Sequence, residues 1–151
     1  MVDQSRQDAL HRSIELLFYG YREFTDRPDR ILERRGLGRV HHRILYFVGR
    51  NPDVSVKGLL EILGVSKQAL SAPLRQLLEM NLVAAPAGVE DRRIKRLTLT
   101  REGARLEAEL SGTQMRHLSA AFDKAGADDE AGWMKVMELL AQSDGGQKDG
   151  T

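Results

Sequence analysis

The stretch VKGLLEILGVSKQALSAPLRQLLEMNLV, residues 56–83, holds two short apolar-periodic runs joined by a Gly-Val-Ser step. Leu59, Leu60 and Leu63 predict a helix over Val56–Leu63, with Ser55 as its N-cap. Gly64 can take the positive φ that a sharp turn requires, and Val65 can plug the angle between two helices. Ser66 is placed to cap a second helix from Lys67 to about Met80, whose apolar stripe is Leu70, Leu74, Leu77 and Leu78. This is the layout of a helix-turn-helix. Its second helix carries Lys67, Gln68, Ser71, Ala72 and Arg75 off the leucine stripe, where Gln and Arg can make paired hydrogen bonds to base edges in a major groove. Pro73 lies inside that helix. It removes a backbone donor at a cost of about 3 kcal/mol in a regular interior, so a kink, or a second start capped by Ser71, is expected there.

The segment after this helix reads as a wing. Leu82–Ala85 is a short strand, Pro86-Ala-Gly88 opens a polar hairpin through Glu90–Arg93, and Ile94–Thr100 alternates apolar and polar residues as the returning strand. The hairpin carries Asp91, Arg92 and Arg93. An arginine at a wing tip can enter the narrow, electronegative minor groove, and an aspartate two residues earlier can orient it. Lys95 and Arg96 add phosphate contacts.

Helices flank this centre on both sides. Leu10, Ile14, Leu17, Phe18, Tyr21 and Phe24 recur at helical spacing over Gln7–Thr25. Asp26-Arg-Pro-Asp29 is expected to break that helix, with a short one over Arg30–Arg35 ending at Gly36-Leu-Gly38. Val40, Ile44, Phe47 and Val48 mark another, ended by Asn51-Pro52. After the wing, Thr100 caps a long helix from Arg101 to about Ala125, and Asp128 starts a last one bearing Trp133, Val136, Met137 and Leu140. The polar tail from Ser143 reads as flexible.

Charge is distributed as this layout requires. From Arg34 to Arg105 there are 14 Lys/Arg against 6 Asp/Glu, a net of +8. The rest of the chain carries 9 against 16, a net of −7, and the two give the overall +1. A basic centre between acidic ends is the footprint of a nucleic-acid-binding module carried on helices with another task. The apolar stripes of the terminal helices exceed what one small winged domain can cover, and predict a helical dimer interface.

GLLEILGVSKQALSAPLRQLLEMNLV followed by EDRRIKRLTLTREG resembles the multiple antibiotic resistance regulator (MarR) family, over about Leu10–Leu140. The resemblance implies a mainly α winged helix-turn-helix with a small β-hairpin. It also implies an obligate homodimer, a pseudo-palindromic double-stranded DNA operator, and in many members a small-molecule inducer. It places the wing's Asp and Arg on Asp91 and Arg93, and the recognition-helix positions on Lys67, Gln68, Ser71, Ala72 and Arg75. The domain reading is a single domain over 1–142, with dimerisation helices at 7–35 and 101–142, the DNA-binding lobe at 36–100, and a tail at 143–151. The DNA-binding set is Ser66, Lys67, Gln68, Ser71, Ala72, Arg75, Asp91, Arg92, Arg93, Lys95 and Arg96. An effector pocket is expected near Tyr21, Arg22, Arg39, His42 and Tyr46, whose chemistry suits an aromatic or anionic molecule.

Other classes find little support. The sequence has no cysteine, which excludes disulfides, thiolate metal sites and thiol redox sensing. Adjacent His41 and His42 point about 100° apart on a helix and do not converge on a metal. No phosphate loop or nucleophile motif appears, so neither an enzyme nor a cofactor is expected. No run approaches the roughly 18 apolar residues of a membrane span, and a cytoplasmic regulator, most simply a ligand-released repressor, is the expectation. The alternative is a winged-helix interaction or dimerisation module without operator specificity.

Overall fold

The computed structural model describes residues 3–86, 88 and 93–142. The chain divides into two compact units between Gln114 and Met115. In the first are α1 (Gln4–Glu33), α2 (Arg39–Arg50), β1 (Val54–Ser55), α3 (Val56–Leu63), α4 (Lys67–Glu79), β2 (Val83–Ala84), β3 (Arg96–Leu99) and the start of α5 (Arg101–Ala125). The second holds the end of α5 and α6 (Ala127–Ala141).

The helix-turn-helix forms as its residues dictate. Ser55 Oγ accepts the Gly58 N–H at 3.0 Å, and Ser66 Oγ accepts the Ala69 N–H at 3.1 Å. Gly64 ends α3 at φ 64°, its N–H bonded to the Leu60 carbonyl. The α4 stripe is buried at Leu70, Leu74 and Leu77. Pro73 does not break α4, nor does Ser71 start a second helix. Burying three leucines is worth about 1.5–3 kcal/mol each, against about 3 kcal/mol for an interior proline, so packing decides the conformation.

The expected break in the first helix is corrected more sharply. Asp26–Asp29 and the separate Arg30–Arg35 helix are parts of one continuous α1, with Pro28 inside it and fully buried. A proline at 28 leaves the Phe24 carbonyl without its helical donor. The Gln114 side-chain amide reaches that carbonyl at 3.4 Å. The helix ends instead at Gly36 (φ 71°), where the Gly36 N–H meets the Glu33 carbonyl and the Leu37 N–H meets the Leu32 carbonyl. This paired stop brings Leu32 and Leu37 into the core. The same stop recurs after α4. Asn81 takes φ 58°, and Leu82 donates back to Leu77.

The sheet is three-stranded and antiparallel in the order β1–β3–β2. Val54 lies opposite Leu97, and Val83 opposite Leu99. The two wing strands are shorter than the alternation predicts, and β1 is additional. Two residues have no period to read; β1 exists because Asp53, at φ 67°, turns the chain so that its N–H reaches the Leu97 carbonyl at 3.1 Å. One core joins the sheet to the helices, through Leu32, Ile44, Leu45, Val48, Leu59, Leu77, Val83, Leu97, Leu106 and Leu110.

The start of α5 is anchored where β3 ends. Thr100 Oγ1 accepts the Gly103 N–H at 3.0 Å and donates to the Asn81 carbonyl at 2.7 Å, while the Thr100 N–H bonds the Leu82 carbonyl at 3.1 Å. Gly103 itself is buried, and a Cβ there would sit 1.8 Å from the Leu82 carbonyl oxygen.

In the second unit, Phe122 and Trp133 meet edge to face at 5.3 Å between ring centroids. The last helix begins at Ala127, one residue before the expected Asp128, and Asp128, Asp129 and Glu130 fill its first turn, where the helix dipole favours acids. The predicted tail at 143–151 lies outside the described residues.

Gly103→Ala should destabilise the protein by about 3 kcal/mol, although alanine is the better helix former by about 1 kcal/mol, because backbone cannot yield to a methyl group at that distance. Urea unfolding of the two proteins measures the difference; equal midpoints would show that α5 can lift from Leu82 without cost.

Candidate nucleic-acid interface

Ser66, Lys67, Gln68, Ser71, Ala72 and Arg75 are all exposed. Residues 68, 71, 72 and 75 fall at i, i+3, i+4 and i+7, so α4 presents them as one ridge opposite its buried leucines. A pocket of about 160 Å³ lies along the helix, lined by Val56, Lys67, Leu70, Ser71, Leu74, Arg75 and Leu78. It is smaller than the roughly 300 Å³ of typical small-molecule sites and reads as a shallow packing gap.

The wing arms are joined by the Arg96 N–H to the Pro86 carbonyl at 3.0 Å and the Gly88 N–H to the Ile94 carbonyl at 2.8 Å. Arg93 and Lys95 are exposed and Arg96 is half-buried. Asp91 and Arg92 lie outside the described residues.

The five residues expected around an effector are not all gathered together. The Arg39 guanidinium bonds Asp29 at 2.9 Å and lies over the Tyr21 ring, 5.5 Å from its centroid; Arg43 donates to the Tyr21 hydroxyl at 2.9 Å. The Asp29 carboxylate holds Arg39 still more firmly protonated than usual. Arg22 instead stacks over Tyr19 at 5.1 Å, and Tyr46 packs edge to face on Phe47 at 5.1 Å. His42 turns toward α5. Its Nε2 is 3.3 Å from Ser111 Oγ, which donates to Glu107 at 2.6 Å. With its hydroxyl hydrogen directed at Glu107, Ser111 can only accept from His42, so His42 carries its proton on Nε2. Burial pushes the His42 pKa below 6.5, against the opposing pull of Glu107 and Asp29.

Six participants escaped the sequence reading: Asp29, His41, Arg43, Gln76, Glu107 and Ser111. His41 Nδ1 accepts the Gly38 N–H at 2.9 Å, capping α2, and its Nε2 bonds Gln76 Oε1 on α4 at 2.9 Å. A glycine followed three residues later by a side-chain acceptor is a cap signal that could have found the first bond. Nothing in the sequence joins positions 41 and 76.

A left-handed glycine turn, a capped helix with a polar outer ridge and an antiparallel ribbon beside it define a winged helix-turn-helix protein. The sequence pattern of the MarR family matches residues 35–94. The HTH-type transcriptional regulator PetP of Rhodobacter capsulatus is 42% identical over 133 residues, which are 88% of this chain and 80% of that protein. The chain belongs to the MarR family of transcriptional regulators. Solved structures share the fold. Streptococcus pneumoniae FabT in complex with DNA matches at TM-score 0.77 with 17% identity, covering 87% of this chain and 94% of that one. The Mycobacterium tuberculosis MarR family protein Rv2887, in complex with p-aminosalicylic acid, matches at TM-score 0.59 with 22% identity, covering 85% and 97%.

Because the folded pKa of His42 is depressed, the unfolded chain takes up its proton first as pH falls. The stability contributed by neutral His42 is therefore complete above pH 6.5 and declines below it. His42→Gln retains an Nε2 donor toward Ser111 without a titrating ring, so its urea midpoint should fall less than wild type's as pH is lowered from 7.5 to 5. Parallel pH curves for the two proteins would remove His42 from the acid response.

Proposed function

We propose that this protein is a homodimeric transcriptional repressor that binds a pseudo-palindromic operator and is released from it by a small aromatic anion. It works in the cytoplasm and catalyses no reaction. The observation that carries this reading is the exposed ridge of Gln68, Ser71, Ala72 and Arg75 on a helix seated by buried leucines. The chain that presents it is 42% identical to an HTH-type transcriptional regulator.

In this mechanism α4 enters the major groove. Gln68 and Arg75 read base edges, while Ser66 and Lys67 hold phosphates near the helix N-terminus. The wing lies over the adjacent minor groove with Arg93 at its edge, oriented by Asp91, and Arg92, Lys95 and Arg96 neutralise backbone charge. Dimerisation uses the terminal helices, 7–35 and 101–142. Leu10, Ile14, Leu17 and Phe18 on α1 and Val136, Leu139 and Leu140 on α6 are exposed, 40–68% of each, which supports a partner surface at both ends of the chain.

The effector would bind beside Tyr21 and Arg39, with Arg22, His42 and Tyr46 at its margins. Arg39 and Arg43 offer positive charge and Tyr21 an aromatic face. The aromatic acid in the Rv2887 structure supports that ligand class. A ligand that prefers the non-binding arrangement of the dimer by a few kcal/mol suffices to release DNA.

A gel shift against the DNA upstream of the protein's own gene tests the reading. Arg93→Ala should weaken binding and make the salt dependence shallower by about one unit of slope, while Gln68→Ala should cost about 1–3 kcal/mol on the preferred duplex and little on random DNA. Equal losses on both duplexes would make Gln68 a backbone contact. Salicylate at millimolar concentration should release the shifted complex; ligand binding that leaves operator affinity untouched would separate the pocket from regulation.

A further inference from the structure

The seat of α4 is made of leucines, and apolar packing has no direction. Leu70, Leu74 and Leu77 bury one face of the helix and fix its coarse roll, leaving the fine adjustment to directional contacts beside the stripe. Base readout, in contrast, fails outside a narrow range of hydrogen-bond distance and angle. A directional contact beside the stripe can supply that adjustment.

Gln76 follows Arg75 and lies half-buried between the outer ridge and the stripe. Its Oε1 is 2.9 Å from His41 Nε2, and its Nε2 donates to the Gly36 carbonyl at 3.3 Å. Both partners are themselves held. His41, only 8% exposed, accepts the Gly38 N–H on Nδ1, so its proton must be on Nε2 and aimed at Gln76. Gly36 is the left-handed residue that stops α1. The Gln76 amide can satisfy both partners in one orientation, with oxygen to His41 and nitrogen to Gly36. Three elements thus meet on one side chain: the end of α1, the first turn of α2 and the body of α4.

We propose that His41 and Gln76 are positioning residues that latch α4 to the start of α2 and thereby set the sequence discrimination of the DNA-reading ridge, without touching DNA themselves. This role rests on the DNA-binding reading above. The latch sets the fine roll of α4, so its loss leaves Lys67 and Arg75 free to meet phosphates while Gln68 and Arg75 lose their aim at base edges. Affinity for DNA in general survives, and preference among sequences declines.

The test uses the full chain and two duplexes of equal length: one recovered from a random pool by the wild-type protein, the other its scramble. Gln76→Leu removes both bonds. His41→Asn keeps the cap, since Asn Oδ1 takes about the place of Nδ1, but cannot reach Gln76. Both variants should lower the ratio of the two affinities about five- to ten-fold, as expected for one net hydrogen bond, with binding to the scramble changed by less than about two-fold. Amide hydrogen exchange without DNA should show faster exchange along α4 in both variants. Gln76→Glu, whose carboxylate still accepts from His41, should retain more discrimination than Gln76→Leu. An unchanged ratio or unchanged α4 exchange in both variants overturns the latch. So does a loss confined to Gln76→Leu, because Gln76 would then be acting on DNA without His41. A wild-type protein that recovers no preferred duplex overturns the DNA-binding reading itself and the specificity role with it, whatever the exchange shows.

Discussion

The backbone carbonyl of Leu82 is where the winged helix-turn-helix and the start of the long helix α5 become one body. It accepts the N–H of Thr100, and it lies so close to Gly103 that no side chain fits between them. Thr100 closes the junction from the other side, accepting from Gly103 and donating to Asn81. The end of α4, the first wing strand, the returning strand and the first turn of α5 are thereby held within a few ångströms of one another. A helix can approach a strand corner this closely only where it carries glycine. Any displacement of α5 must therefore either move the wing and the end of α4 with it or break this corner.

Burial overrules local preference twice in the same way. Pro28 and Pro73 each remove a donor from a helix interior, yet both helices run through. Pro28 is buried in the core, and the carbonyl it frees is met by Gln114 from α5. Pro73 sits among three buried leucines whose transfer from water outweighs the lost bond. In both helices the proline is tolerated because the neighbouring tertiary structure was already going to hold that segment.

The geometry that speaks against a metal at His41 and His42 is also what gives α2 its place in the fold. Consecutive residues on a helix diverge by about 100°, so the two rings reach different neighbours. His41 turns to Gln76 on α4, and His42 to Ser111 on α5. One short helix thus carries a directional bond to α4 and another to α5. Tyr21, Asp29, Arg39 and Arg43 form a charged cluster at the α1–α2 side of the same helix.

The helix-turn-helix was legible almost to the residue, because each of its signals is local: Ser55 and Ser66 as caps, Gly64 as the left-handed stop, leucines three and four apart. The two wing strands were legible in type and pairing but not in length, since their ends depend on neighbours rather than on alternation. The continuity of α1, the strand β1 and the His41–Gln76 bond were not legible. Each needs a partner far along the chain: Gln114 lies 90 residues from Phe24, and Gln76 lies 35 from His41. Ridge residues on α4 could be chosen from the sequence because a helical period alone separates a buried face from an exposed one. The five residues expected around an effector share no local period, and the structure brings Tyr21 and Arg39 together while turning Arg22, His42 and Tyr46 to other neighbours. By itself, then, the sequence determined the two helices of the helix-turn-helix, their serine caps and the polar face of α4, all of which are set by interactions within four residues. Tertiary structure alone decided which helices survive a proline and which side chains meet across the core, because those outcomes depend on burial and on hydrogen bonds between segments that no local period connects.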